Sequence, residues 1–461
     1  MTSRRTRLGS VDSACGARRG LTLFGSGRPE RSAPQTGKLM RAKTEDFTGA
    51  GTAHRMSIPS TSSPMSTSPA ARWRPTLRAA VIASAAVLFC AAAGTARAQQ
   101  TSPVSPTTTE AATVQTTPLD ARHTIAADSF TKSADGEWLS PEVAAPFAFD
   151  ELIYSWNLRL PKGQGFRIHL RAGFGGDDKS PWLYAGYWGQ VSDPATSRTK
   201  PRFDRGEVDM DWLKMTAKAV SCQFKVVDAS TVTLSVLPTL TVVTTDNHPA
   251  PEVLARHAAQ RTTASARLLD LPFRRQMDSA GNITPNRCQS AALATALEYF
   301  GNAVPLEQIV DHTWDPEYNY PGLWPRVVAA ANEFGFDARI DRFRDWGAVR
   351  AALARNEVIL CSIRMKEGEC KEPPYKSMGN HIVALNGVTD DGRVVVTDSF
   401  LAKSGRGYRC QWLIEDFEKI WMKTKNGVAM VIVPPADFKP PLMPELPPFP
   451  AGRAPVTGDD H

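Results

Sequence analysis

The chain has 461 residues, 42% of them apolar, enough for two globular domains with separate cores. Its formal charge of +7 arises in the first 98 residues, which hold 15 of the 54 Lys and Arg but 4 of the 47 Asp and Glu. Beyond Ala98, 39 basic residues face 43 acidic ones, a balance of −4 with no long basic run, which argues against a nucleic-acid partner.

Arg72, Arg74 and Arg78 precede an uncharged, largely apolar run from Ala79 to Ala93, followed by Ala96-Arg97-Ala98. Small residues at those two positions are what a signal peptidase requires, and the run is short for a membrane span. The expected reading is a secretory signal at about 65–98 and a secreted or periplasmic protein with no stable membrane span after cleavage. A short internal anchor is the competing reading. Met56 or Met65 is the natural start of such a signal, which makes residues 1–55 an over-extended gene model. Residues 1–98 as a whole read as an unstructured leader plus signal peptide.

Five cysteines follow the cleavage point: Cys222, Cys288, Cys361, Cys370 and Cys410. An odd number in an exported protein leaves at least one thiol without an internal partner. Cys370 and Cys410 lie in polar, loop-like surroundings and are candidates to pair, whereas Cys361 in "EVILCSIRM" reads as a buried strand residue. There is no CxxC and the histidines are scattered, so neither a structural zinc nor any other cofactor is expected.

Residues 99–122 form a Thr/Pro/Ser-rich tether unable to build a core. From 123 to 250 the pattern turns to strands: "GFRIHLRA" alternates Phe166, Ile168 and Leu170 with Arg167, His169 and Arg171, and "WLYAGYWGQ", "SCQFKVV" and "TVTLSVLPTLTVV" follow. The spacing predicts an all-β sandwich of jelly-roll type. Trp156, Trp182, Trp188 and Trp212 read first as core fillers and second as a platform for a glycan, peptide or other cell-envelope ligand.

A linker, "HPAPEVLARHAAQRTTASARLLDLP", leads to a second domain at 268–435, in which helices come first and strands after, an α+β pattern. Pro305 and Pro325 sit at first-turn positions of two helices, Gly335 stops the second, and Asp345 can cap a third. Strands are expected in "VILCSIRM", "HIVALNGV", "RVVVTD" and "GVAMVIV", with a helix in "IEDFEKIW". Residues 436–461 are a Pro-rich tail.

In "NRCQSAALATALEYFG", Leu293, Ala296, Leu297 and Phe300 recur at helical spacing, Gly301 is a stop, and Pro285-Asn286-Arg287 fall outside the pattern. The helix therefore begins at or beside Cys288, where unpaired N–H groups favour thiolate. Some ninety residues on, "MGNHIVALNGVTDDGRVVVTDSF" places two β-branched runs around a Thr389–Gly392 turn. Pairing them about Asp390-Asp391 brings His381 nearly opposite Asp398, within reach on one face of a hairpin. A register shift of one would separate the pair. A carboxylate on one ring nitrogen fixes the tautomer and leaves the other for a thiol. The bland readings are a half-buried thiol and a structural histidine.

These two blocks, together with "CQWLIEDFEKIWMKTKNGVAMVIV" and "WDPEYNYPGLWPRVVAAANEFGFDARIDRF", resemble bacteriocin-processing-like cysteine peptidases over about Leu271 to Pro434, of the exported bacterial type with an N-terminal β-domain. The resemblance implies a papain-like fold, with Cys288 as nucleophile, His381 as general acid/base and Asp398 as orienting acid. It also implies a glutamine upstream of the nucleophile that binds the oxyanion. Gln276 is the best match, at a longer spacing than usual, and Asn282 is the weaker substitute. Arg287 before the cysteine and Asn380 before the histidine depart from the family's usual residues. The implied activity is hydrolysis of a peptide or protein substrate through a thioester, with an amidase or acyl transferase of the same fold as the alternative. A noncatalytic surface protein that binds a glycan or peptide is the rival from another class.

Overall fold

The computed structural model describes residues 119–193, 200–259, 267–278, 280–402 and 406–441. The signal segment, most of the tether and the end of the Pro-rich tail therefore lie outside the described residues. Among the described residues, no helix is long and apolar enough to cross a membrane.

The amino-terminal domain is built on one eleven-stranded sheet, all of its pairs antiparallel. Its strands of four residues or more are β1 (Asp120–Ile125), β2 (Val143–Asn157), β3 (Gly165–Gly175), β4 (Leu183–Gly189), β5 (Gly206–Asp209), β6 (Trp212–Asp228) and β7 (Thr239–Thr245). The 17-residue β6 organises the sheet. Its first half pairs with β5 and β2, and its second half with β3. The alternation read in "GFRIHLRA" buries Phe166, Ile168 and Leu170 completely. The first strand starts earlier than the predicted domain edge, because Asp120, Ala121 and Arg122 pair with Thr245, Thr244 and Val243 of β7. Trp156 and Trp188 are buried, and Trp182 is half-buried beneath the Arg171 guanidinium, 4.4 Å from its ring centroid. Of the four tryptophans, Trp212 has another place, described below.

The segment read as a plain linker contains a helix, α1 (Pro251–Ala259). The second domain sets α2 (Cys288–Tyr299), α3 (Leu306–Thr313) and α4 (Trp324–Glu333) before the strand β8 (Ala338–Arg342). There follow α5 (Trp346–Ala354), β9 (Val358–Met365), β10 (Met378–Val388), β11 (Arg393–Thr397), β12 (Cys410–Leu413), α6 (Ile414–Glu418) and β13 (Val428–Ile432). The six strands form one antiparallel sheet in the order β8-β13-β9-β10-β11-β12. Helix signals act where the sequence sets them. Asp345 accepts a hydrogen bond from the Ala348 amide at 2.9 Å, a cap worth about 1 kcal/mol. Gly301 and Gly335 take positive φ just past α2 and α4, and Pro325 lies in the first turn of α4. Pro305 differs by one position: it is the residue before α3.

The two domains are packed together. Strand β8 ends the six-stranded sheet, so one row of its backbone groups has no strand partner. Side chains of β2 bond to three groups of that row. The Ser155 hydroxyl accepts from the Ile340 amide at 3.1 Å, and the Asn157 side chain donates to the Ala338 carbonyl at 2.7 Å and accepts from its amide at 3.3 Å. Ion pairs flank the seam: Arg122 with Asp341, Arg344 with Asp120 at 2.7 Å, and the fully buried Arg342 side chain with Glu151. Helix α4 packs against β2 as well.

The tail begins anchored, since Phe438 lies edge-on to Phe300 at 4.9 Å and to Tyr299 at 5.1 Å. The suggested pairing of Cys370 with Cys410 is not formed. None of the five described cysteines forms a disulfide, Cys410 is buried in β12, and the Cys370 thiol makes a long contact to the Asp416 carbonyl.

Candidate active site

Asn286 enters the left-handed region at φ 63°, which turns the chain so that Cys288 becomes the first residue of α2. Arg287 is the N-cap and supplies no side-chain cap. Its guanidinium instead reaches α3, pairing with Glu307 at 2.5 Å. The Cys288 N–H, as the first of the helix, has no intrahelical acceptor. Helix α2 is buried along almost its whole length and packs on β10, the strand that carries His381.

Hairpin β10–β11 turns at Thr389–Gly392, where the Gly392 amide donates to the Thr389 carbonyl at 3.0 Å. A bulge at Asn386 separates the pairs Gly387–Val395 and Leu385–Val396. Below it, Ala384 faces Thr397, so Asp398 lies diagonally across from His381 on the same face. The bulge is fixed from both sides: the Asn386 side chain donates to the Leu269 carbonyl at 2.9 Å and accepts from the Thr397 hydroxyl at 3.0 Å. His381 Nε2 meets Asp398 Oδ1 at 2.7 Å, with His381 3% exposed and Asp398 fully buried. Asp398 Oδ1 also accepts from the Phe400 amide at 3.0 Å, and the Phe400 ring stands edge-on to the imidazole at 5.8 Å.

Burial by itself disfavours a charged imidazole. The Asp398 carboxylate, its hydrogen bond to the ring, and the hydrogen bond and charge of Cys288 outweigh it, raising His381 to about 10. Asp398 thus holds one ring nitrogen and leaves Nδ1 for the Cys288 sulfur.

Cys288 and His381 open onto a cleft of about 390 Å³. Gln289 forms one side. Its carbonyl oxygen accepts from the Cys288 thiol at 2.9 Å, and its amide nitrogen donates to the carbonyls of Asn286 and Pro321. That bond fastens the Tyr320-Pro321-Gly322 loop over the start of α2. Gly322, at φ 115°, lies so close to Gln289 that a Cβ would overlap its side chain. Gly322→Ala is expected to cost about 1–3 kcal/mol in chemical denaturation. It should also slow covalent modification of Cys288 about tenfold, because the loop and Gln289 move together.

Gln276 is buried, with Oε1 accepting from Ser399 at 2.8 Å and Nε2 donating to the Thr284 carbonyl at 3.3 Å. It adjoins the Asp398 loop and is not among the residues lining the cleft. Asn282 lies elsewhere, bonded to Asp278 on an exposed turn.

Residues 268–429 match the model of the Peptidase C39 like family, and residues 88–245 match that of the Peptidase C39 N-terminal domain. Residues 268–429 are a peptidase C39-like domain. Among solved structures, the chain is similar to a double glycine motif protease from an AMS/PCAT transporter in complex with the leader peptide. That likeness has 17% identity, 38% of this chain, all of that one and a TM-score of 0.25. It is similar to the peptidase domain of Streptococcus ComA, a bifunctional ABC transporter involved in a quorum sensing pathway, at 14% identity, 38% of this chain, all of that chain and a TM-score of 0.24. A C39-like peptidase from Bacillus anthracis gives 15%, 37%, 97% and 0.28. No curated protein matches the chain.

The C39-like domain does not line the cleft alone. The tight turn Met210-Asp211 between β5 and β6, with Met210 at φ 61°, brings Asp211 and Trp212 of the amino-terminal domain into it. Asp211 accepts from the Trp324 amide at 3.0 Å, and the Trp212 and Trp324 rings stand edge to face at 5.7 Å. Sequence reasoning missed Gln289, Tyr320, Gly322 and Lys425. The "YNYPGLWP" run was noticed only for its resemblance, although its Pro-Gly pair next to aromatic residues signals a loop with a packed face.

Proposed function

We propose that the chain is an exported cysteine peptidase that hydrolyses peptide bonds through Cys288, His381 and Asp398. The reading rests on one observation: the imidazole of His381, held at 2.7 Å by Asp398, carries its other nitrogen towards the Cys288 sulfur at the mouth of a cleft. The match to a peptidase family over the same residues supports it. A helix bearing the cysteine, packed on an antiparallel sheet bearing the histidine, is the papain-like arrangement, and we read the amino-terminal domain as a jelly-roll-like sandwich.

In this mechanism the Cys288 thiolate attacks the substrate carbonyl carbon, and the oxyanion that forms is met by the Cys288 N–H at the start of α2. Gln276 is the proposed second donor, and to reach the oxyanion its amide nitrogen would leave the 3.3 Å bond to the Thr284 carbonyl and turn towards the cleft. His381 gives its proton to the leaving amine as the carbon–nitrogen bond breaks, leaving a thioester. Water then attacks the thioester, His381 takes its proton, and the acid departs as the thiolate is restored. Export is inferred from the signal-like segment ending at Ala98.

A peptide carrying a thiol-directed electrophile tests the proposal. One equivalent should bind at neutral pH, and peptide mapping should place it on Cys288. Cys222 and Cys370 are each pushed up to about 12, chiefly by burial, and should stay unmodified. Label distributed over the other cysteines, or absent, contradicts the reading.

A further inference from the structure

The cleft beside Cys288 and His381 holds more positive charge than its own carboxylates neutralise. Asp209 is taken by Lys200 at 2.6 Å and Lys214 at 2.8 Å, which leaves Asp211 as the remaining carboxylate in the cleft lining, and its charge favours the Lys425 ammonium. Lys425 and Arg364 also line the cleft, and among the described residues neither has an ion pair. The Lys425 ammonium donates to the Asn380 side chain at 3.3 Å, one residue from His381. It stands 5.6 Å from the ring centroid of Trp212 and 5.8 Å from that of Trp324, between the walls supplied by the two domains. Arg364 follows Ile363, the residue paired with His381 across β9 and β10, and its side chain is exposed. Two cations thus line the cleft that also holds His381, Lys425 half-buried and Arg364 exposed.

We propose that Lys425 and Arg364 form a carboxylate-binding subsite, so that the substrates taken by this cleft are peptides with an acidic group next to the bond that is cleaved. A carboxylate there would accept from both cations, and the tryptophan walls would strengthen the pairing by excluding solvent. The charge balance agrees. Burial lowers Lys425 most, Asp211 works against that, and Arg364, Lys214 and Arg342 lower it further, as expected of an ammonium lacking an adequate counter-ion. The strained φ of Met210 has a purpose in this arrangement, since it delivers Trp212 to the subsite. The inference rests on the peptidase reading and adds the chemistry of the substrate to it.

Internally quenched peptides on one backbone separate the possibilities. Each position beside the cleaved bond carries Glu or its uncharged isostere Gln, and each peptide is made with a free and an amidated carboxy terminus. The full-length protein should prefer the acidic peptide by about 30-fold in kcat/KM. A preference for Glu over Gln in both the free and the amidated series assigns the carboxylate to a side chain, whereas equal cleavage of Glu and Gln peptides with a rate lost on amidation assigns it to the peptide's end. Lys425→Gln and Arg364→Gln should each bring the ratio of kcat/KM for the Glu peptide over the Gln peptide to within about threefold of one. Lys425→Arg should keep the preference. Equal cleavage of Glu and Gln peptides by the parent with no loss on amidation, or a preference unchanged in the double Gln variant, overturns the proposal and leaves the peptidase reading standing. Failure of an uncharged peptide electrophile to label Cys288 removes both.

Discussion

Cys288→Ala is expected to lower kcat/KM for any peptide substrate by about four orders of magnitude or more, because the attacking atom itself is removed. The fold should be unaffected. The side chain loses one sulfur from a position already opening onto the cleft, and its neighbours in α2 include Ala291, Ala292 and Ala294. Chemical denaturation midpoints of variant and parent should therefore agree while the rates diverge. A residual rate within tenfold of the parent would sink the proposed mechanism, whatever the labelling pattern. Cys361 offers no substitute, since burial in β9 raises its thiol well above the ordinary value.

Asp398→Asn is expected to lower kcat/KM by about 10²- to 10⁴-fold with little change in geometry. The carboxylate favours the charged ring both by its field and by its hydrogen bond at 2.7 Å. An amide offers no charge, and with its nitrogen turned to Nε2 it would select the wrong tautomer. The pH profile should change in a direction fixed by sign. In the parent, the ring is raised from 6.5 to about 10, so the protonated ring persists until the pH passes about 10. In the variant the alkaline limb should move down towards the ordinary histidine value. Stability is linked in the same way. A raised pKa means that the folded state binds more protons than the unfolded chain between 6.5 and about 10. The His381 contribution is complete below 6.5 and disappears as the pH climbs through about 10. Denaturation midpoints measured across that window should fall with pH in the parent and flatten in the variant. An alkaline limb at the same pH in both proteins would show that Asp398 does not govern the ring.

Local signals account for what could be read from the sequence. The stop at Gly301, the cap at Asp345 and the β10–β11 turn each depend on residues within a few positions, and each lies where its chemistry sets it. The diagonal approach of His381 and Asp398 followed from counting outward from the turn. The bulge at Asn386 shifts the partners by one residue and so brings both side chains to one face, since the unshifted register would set Asp398 opposite Ala384 and away from His381. What escaped the sequence depends on contacts between distant segments. Gln289 matters through a carbonyl 32 residues away, and Lys425 through tryptophans more than a hundred residues apart in the chain. Gln276 carried a family expectation and lies against Ser399, where spacing along the chain could not place it. Cys370 and Cys410 looked paired because both stood in polar surroundings, but Cys410 points into the sheet.

The seam along β8 bears on any attempt to shorten this protein. Cutting the chain to its second half would strip Ser155 and Asn157 from the Ala338 and Ile340 amides and would leave the Arg342 guanidinium without Glu151. A bare strand edge is a template for joining another copy, and an isolated cation in apolar surroundings is costly. Such a fragment would tend to self-associate through its raw flank, and the cleft beside Cys288 would be open on the side that Trp212 now lines. The first half is therefore a structural and functional part of the second, and an engineered exchange of either piece would have to carry its matching border.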